Sequence, residues 1–264
     1  MTSALRPDAY FARIGVRPPL AATLEDLVAL HRAHCAAIPF ENLDILLGRP
    51  IALDLAALEA KLVGARRGGY CFEQNTLFQA ALDALGFRVT ALAARVRAGM
   101  TEIRPRTHML LRVDLPEGAF VADVGFGGDG LVHPLPLAEG SETWVGFVGH
   151  RLRRDGDPWV LQGNAAGEWT DLYAFTLEPQ HPVDFVMANH FTSTHPRSPF
   201  VLNLTAQRSW PEKRVILRNR DLTVREAGTA AATTVRDAEH LLEVLASHFD
   251  LVFPAGTRFR QPEF

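Results

Sequence analysis

The feature that most restricts how this chain can fold is a change of rhythm at Gly86. Apolar residues recur at helical spacing before it and fall in short, β-rich runs after it. Thr23 stands as an N-cap before a segment in which Leu24, Leu27, Val28, Leu30 and His31 follow helical spacing, and Pro39 ends that helix. The stretch PFENLDILLGRP then reads as a loop. Asp54 caps a second helix, DLAALEAKLV, rich in the good helix formers Ala and Leu. A third starts near Cys71 and runs through FEQNTLFQAALDAL to Gly86, a natural C-terminal stop. Beyond it, FRVTALAARV, THMLLRVDL and AFVADVGFG are separated by Gly and Pro, as antiparallel strands are. A turn at Asp155-Gly156 and a further strand, WTDLYAFTL, extend this into a small barrel or sandwich. From about residue 185 the pattern mixes: RVILRNRDLTVREA reads as a hairpin turning near Asn219-Arg220, and Asp237 opens a last helix, AEHLLEVLASHF. The expected class is α+β in three parts, a helical bundle over 1–88, a β-domain over 89–190 and a mixed α/β segment over 191–264.

Composition narrows the functions open to such a chain. Its 264 residues are 47% apolar and 22% charged, enough to bury a sizeable core. A formal net charge of -3 argues against a nucleic-acid partner, which usually demands a basic face. No apolar run approaches the roughly 18 residues that cross a bilayer. The N-terminal MTSALRPDAYFARIGV lacks an apolar core after a basic start, so no export signal and no membrane association are expected. Two isolated cysteines, Cys35 and Cys71, fit a reducing, cytoplasmic setting.

Cys71 has unusual surroundings. It follows Arg66-Arg67-Gly68-Gly69-Tyr70 and opens a helix, where unpaired N–H groups and the helix dipole favour a thiolate. Arg66 and Arg67 add positive potential if they point the same way. Taken alone, the segment fits an ordinary loop with a small buried thiol equally well. Cys35 lies mid-helix on a stripe with Ala and Ile and reads as buried and inert. His31, His34 and Cys35 are close in sequence, but they sit among Leu and Ala, and no metal site is expected from them.

A nucleophilic cysteine needs a base, and the base needs an orienting group. His108 starts the apolar strand Thr107-His108-Met109-Leu110-Leu111-Arg112-Val113, and Asp123 lies among Val121, Ala122 and Val124 on the next. A carboxylate in such company needs a partner. If Pro116-Glu117 is the centre of the turn, Asp123 lies opposite Leu110, which shares a face with His108. The two would then be diagonal neighbours with Cα atoms on the order of 7–8 Å apart, a distance a His–Asp hydrogen bond fits. A turn slid toward Gly118 keeps the face and stretches the diagonal.

RGGYCFEQN, the strand-borne His108 and VADVGFG, in this order and spacing, resemble the arylamine N-acetyltransferase family of bacterial type. PFENL, from Pro39 to Leu43, and STHPRSPF, from Ser193 to Phe200, resemble two further segments of that family. The resemblance implies an N-terminal helical bundle, a central antiparallel β-barrel and a C-terminal α/β lid around a cysteine-protease-like catalytic core. It implies a ping-pong transfer in which Cys71 takes acetyl from acetyl-CoA and yields it to an aromatic amine, hydroxylamine or hydrazine. His108 would exchange the protons and Asp123 would fix its tautomer. It places Phe40, Tyr70, Thr107, Phe126 and Phe200 near the acceptor, and Thr107, Gly127 and Gly128 near coenzyme A. Read without it, any one of those Phe is more often core packing, and Gly125 to Gly130 more often a plain turn. The backbone N–H of Cys71 with one neighbouring amide is the expected oxyanion hole. Glu41 with Arg66 or Arg67 is the expected brace of the cysteine loop. A homodimer is compatible with this reading. Two rivals remain at this point: a papain- or transglutaminase-like hydrolase with the same triad, and a binding module with an aromatic pocket.

Overall fold

The computed structural model describes residues 5–18, 20–99, 102–165, 167–227 and 229–261. The N-terminal segment read above therefore begins, at residues 1–4, outside the described residues.

Helices form the first layer. α1 (Pro7–Ile14) has proline in its first turn and ends on Gly15 in the left-handed region, φ 74°. α2 (Leu24–Ala37) is capped by Thr23, whose hydroxyl accepts the Asp26 N–H at 3.2 Å. It buries Leu27, Leu30, His31, His34 and Cys35. The expected loop after Pro39 is more ordered than its sequence suggests. It holds a two-residue strand, β1 (Phe40–Glu41), and a single helical turn, α3 (Leu43–Leu46). β1 is too short to show a period, and it exists because a distant strand pairs with it. Asp54 caps α4 (Leu55–Leu58), which widens into a π-helical stretch over Glu59–Gly64. α5 (Cys71–Ala84) starts at the cysteine and stops before Gly86, φ 85°.

Eight antiparallel strands follow: β2 (Arg88–Val96), β3 (His108–Leu115), β4 (Gly118–Ala122), β5 (Leu135–Pro136), β6 (Glu142–Val145), β7 (Val148–Arg154), β8 (Trp159–Asn164) and β9 (Thr170–Phe175). Their order, β5-β4-β3-β2-β9-β8-β7-β6, makes a nearly closed barrel. β2 to β4 are buried on both faces. Met109 and Leu111 pack toward the helices, while Leu92, Leu110 and Val121 fill the barrel. That is why β3 reads as a continuous apolar run rather than a clean alternation.

α6 (Pro182–Thr194) and α7 (Pro199–Leu202) lead into β10 (Thr205–Ser209), β11 (Lys213–Arg218), β12 (Asp221–Glu226), β13 (Thr229–Thr234) and α8 (Ala238–Phe249). β11 and β12 turn at Asn219-Arg220, with Asn219 at φ 53°, and Asp237 caps α8 by accepting the His240 N–H at 2.8 Å. The second sheet runs β1-β10-β11-β12-β13, so its edge is the short strand from the N-terminal layer. One face of it packs Val215, Leu217 and Leu222 on Leu241, Val244, Leu245 and Phe249 of α8. No helix among the described residues is long and apolar enough to cross a membrane.

Candidate active site

Three elements converge at one end of the barrel. The hairpin of β3 and β4 pairs Leu115 with Gly118 and Leu111 with Ala122, so Pro116-Glu117 is the turn and the register read from the sequence holds. Asp123 lies one residue past the last paired position. His108 Nε2 and Asp123 Oδ2 are 2.7 Å apart, both buried. Burial alone would disfavour charge on either group. The Asp123 carboxylate outweighs it and lifts His108 well above the ordinary imidazole value, and Cys71 acts in the same sense. His108 in turn holds Asp123 below the usual carboxylate range against its own burial, helped by Asn75 and the Gly125 N–H.

Cys71 is the first residue of α5, and its Sγ lies 3.7 Å from the Thr107 carbonyl, beside His108. The loop before it is packed to the limit. A Cβ on Gly68 would strike the Pro39 carbonyl and lie 2.8 Å from Glu41 Cγ, and one on Gly69 would lie 2.6 Å from the Glu73 carboxylate. The left-handed residue of the turn is Arg66, φ 53°, so the two glycines are required for close approach rather than for an unusual φ. A parallel bridge joins Phe40 to Gly69, and the Glu41 N–H donates to the Gly69 carbonyl at 3.0 Å. The PFENL and RGGYC motifs are thus one structural unit.

Glu41 braces that unit. Its Oε1 accepts from Arg67 Nη2 at 2.6 Å and from the Gly68 N–H at 3.3 Å, and its Oε2 accepts the Leu43 N–H at 2.7 Å. Of the two expected partners, Arg67 makes the pair, and it also reaches Asp44 at 3.2 Å. Lys61 bridges Asp44, at 2.8 Å, to Glu73, at 2.7 Å. Glu73 Oε2 accepts the Tyr70 N–H at 3.0 Å and so closes the start of α5.

A cavity of about 530 Å³ opens above these groups, lined by Cys71, His108, Phe40, Thr107, Phe126 and Phe200. Arg104, Arg197 and Arg218 stand in its lining, and none of them enters a salt bridge among the described residues. Tyr70 lies behind the wall: it is fully buried, edge-on to Phe200 at 5.5 Å, and its hydroxyl donates to Asn189. Gly127 and Gly128 do not line the cavity. The Gly128 N–H donates to the Gln207 side chain, and a Cβ on Gly127 would run into that same group.

Several supporting residues carry no site role in the sequence reading. Asn75 donates to Asp123 Oδ1 at 3.0 Å and accepts the Val124 N–H at 3.1 Å. It lies one helical turn after Cys71, and that spacing is a signal that was available. His31 Nε2 accepts the Asp123 N–H at 3.1 Å. His34 joins Tyr10, at 2.7 Å, to Gln74, at 2.6 Å, and Gln74 donates to the Pro39 and Gly69 carbonyls. Tyr173 packs on His108 with ring centroids 4.8 Å apart. The histidines of α2 are thus hydrogen-bonded parts of the scaffold.

A helical layer and a nearly closed antiparallel barrel set the chain in an α+β class, with Cys71, His108 and Asp123 gathered at their junction. Comparison with known proteins gives the family. A family model described as N-acetyltransferase matches residues 23–257. The chain is 42% identical over 254 residues to the arylamine N-acetyltransferase / N-hydroxyarylamine O-acetyltransferase of Salmonella typhimurium, covering 95% of this chain and 90% of that one. It is 41% identical over 252 residues to the arylamine N-acetyltransferase of Mycolicibacterium smegmatis, covering 92% and 90%. Solved structures agree. That of the Salmonella typhimurium enzyme superposes with a TM-score of 0.89 over 93% of this chain and 90% of that one at 41% identity. That of Mycobacterium marinum arylamine N-acetyltransferase in complex with CoA gives 0.87 over 92% of each at 37% identity. The chain belongs to the arylamine N-acetyltransferase family and is an enzyme of that family.

Proposed function

We propose that this enzyme carries an acetyl group from acetyl-CoA to an aromatic amine, hydroxylamine or hydrazine through a thioester on Cys71. The observation that carries the reading is the placement of Cys71 at a helix start, on the cavity surface, beside an imidazole already paired to a buried carboxylate. In the first half-reaction the Cys71 sulfur attacks the thioester carbonyl, the bond to the coenzyme A sulfur breaks, and His108 supplies the proton that the leaving thiolate takes up. In the second the amine nitrogen attacks the acetyl-cysteine, its proton passes to His108, and the C–S bond breaks to restore Cys71. Asp123 keeps the imidazole in place and supports its charge throughout. The oxyanion falls to the Cys71 N–H with one neighbouring amide. The Val124 and Gly125 N–H groups are already engaged with Asn75 and Asp123, which removes them as the second donor.

Phe40, Phe126 and Phe200 form aromatic walls suited to a flat acceptor. Tyr70 acts from behind by holding Phe200 edge-on. Arg104, Arg197 and Arg218 give the cavity the positive lining that the phosphates of coenzyme A require, and Thr107, whose carbonyl lies 3.7 Å from Cys71 Sγ, shares that lining. The likeness to a relative solved with CoA supports this assignment. Gly127 and Gly128 contribute by holding the loop that carries Phe126 against β10 through Gln207.

Mass spectrometry after incubation with acetyl-CoA alone tests the reading. One acetyl group is expected on Cys71, absent in Cys71→Ala and discharged by an aniline or a hydrazide. An adduct that leaves at the same rate with and without amine would identify a hydrolase instead.

A further inference from the structure

Asp123 is held from two sides, and only one of them is its carboxylate. The last paired position of β4 is Ala122, opposite Leu111, so Asp123 and Val124 leave the sheet with buried N–H groups that no strand accepts. A buried donor left without a partner is costly. Two helices supply the acceptors: Asn75 of α5 takes the Val124 N–H at 3.1 Å, and His31 of α2 takes the Asp123 N–H at 3.1 Å.

The second contact fixes the chemistry of His31. A backbone N–H only donates, so Nε2 must carry its lone pair, and the ring proton sits on Nδ1, toward the Val132 backbone and 3.8 Å from Cys35 Sγ. The ring is fully buried and stands edge-on to Phe78 of α5 at 5.8 Å and 90°. Core packing therefore surrounds the acceptor. The peptide it grips is the one whose side chain reaches His108 at 2.7 Å.

We propose that His31 is a positioning residue for acyl transfer: by accepting the Asp123 N–H it fixes the peptide that aims the carboxylate at His108. The proposal rests on the reading of Cys71, His108 and Asp123 given above. A displacement on the order of 1 Å at a reacting group can cost about 100-fold in rate, so an acceptor that grips the nitrogen two bonds from the Asp123 Cβ has leverage on the reaction.

The test compares His31→Leu, which leaves the N–H without a partner, with His31→Gln, whose side-chain oxygen can take the place of Nε2. Two rates are read on folded protein: acetylation of Cys71 by acetyl-CoA, and alkylation of Cys71 by iodoacetamide as a function of pH. We expect His31→Leu to lose about 10- to 100-fold in acetylation and to shift the pH profile of alkylation, while His31→Gln stays within about threefold on both. If His31→Leu does not fold, His31→Asn replaces it, because its shorter amide stops short of the N–H. Either deficient variant keeping both the rate and the profile within about twofold, whatever its melting temperature, would overturn the proposal. So would a His31→Gln as impaired as His31→Leu. A His108→Ala control separates the two readings. If it alkylates at Cys71 like the unchanged protein, the triad assignment has failed rather than the role of His31.

Discussion

The chain places a cysteine beside a histidine twice, and only one of the pairs lines the large cavity. Cys71 opens α5, lines the cavity, and sits by a histidine whose far nitrogen meets the Asp123 carboxylate at 2.7 Å. Cys35 lies inside α2 with its Sγ 3.8 Å from His31 Nδ1, and the far nitrogen of that histidine meets the Asp123 N–H instead. The two imidazoles thus touch opposite ends of one residue. A carboxylate favours the protonated ring and an N–H forbids it. Burial pushes the Cys35 thiol up to about 12 and His31 down to about 3, while Asp123 lifts His108. Proximity of thiol and imidazole therefore decides little. What decides is the group behind the imidazole and the access in front of the sulfur.

The strongest way to break the contrast is to neutralise the group behind His108. Asp123→Asn keeps the shape but removes the charge, and its amide can present a donor where the imidazole also needs to donate. Acetylation of Cys71 in a single turnover is expected to fall about 10⁴-fold, the scale seen when a triad carboxylate becomes an amide. A loss of less than about tenfold, with the folded state confirmed by circular dichroism, would mean that Asp123 serves structure only.

A second change attacks the loop in front of Cys71 and leaves the Cys35 surroundings alone. Glu41→Gln removes the carboxylate that Arg67, Gly68 and Leu43 share, and leaves Arg67 leaning on Asp44. Breaking a buried pair from one side costs about 3–5 kcal/mol. Urea unfolding should show a loss of that size, together with slower acetylation, while Cys35 stays closed to reagents in the folded state. Unchanged stability would remove Glu41 from its bracing role.

The contrast between the thiols themselves is sharpened by alkylation. Iodoacetamide at neutral pH should modify Cys71 at least about 100-fold faster than Cys35, whose buried thiol needs local opening to react. Peptide mapping over a time course reads both rates in one sample. Equal rates would place the two cysteines in one class.

Features fixed by neighbours in sequence are legible in this chain, and those made by distant contacts are not. The turn at Pro116-Glu117, the caps Thr23, Asp54 and Asp237, and Cys71 at a helix start all rest on neighbours in sequence, and all were legible. α6 was not. It leaves Val183 and Met187 exposed at 66% and 76% and buries Phe185, Asn189 and Thr192, so its apolar residues form no inward stripe. β13 is exposed throughout, and its run of Ala carries no strand signal. β1 reads as loop in the sequence because only pairing with β10, over 160 residues away, creates it. Within the site, the partner of Glu41 was narrowed to two arginines, and only the left-handed turn at Arg66 sends Arg67 inward. The grip of His31 on Asp123 spans 92 positions and leaves no local mark.

The smallest expected effect tests the neutral side of the contrast by its pH dependence. His31, His34 and His150 are buried and pushed down to about 3, 4 and 4 by loss of water, against an ordinary value of 6.5. Below pH 6.5 the unfolded chain takes up a proton at each of them and the folded chain does not. Their contribution is therefore full above that pH and is lost as the pH falls toward their folded values. Each should add about 1.4 kcal/mol per pH unit to the slope of stability between pH 6 and 5, or about 2 kcal/mol in all by pH 5. His108 runs the other way: its raised value makes its contribution full below pH 6.5 and lost only as the pH rises through the folded value, so it does not offset the acid loss. Asp123, held below the carboxylate range, begins to matter only nearer pH 4. His34→Gln should lower the urea-derived slope by about one proton relative to the unchanged protein, whatever it does to absolute stability. An identical slope in the two proteins would mean that His34 already binds its proton in the fold, and that the α2 histidines are not the uncharged counterpart of His108.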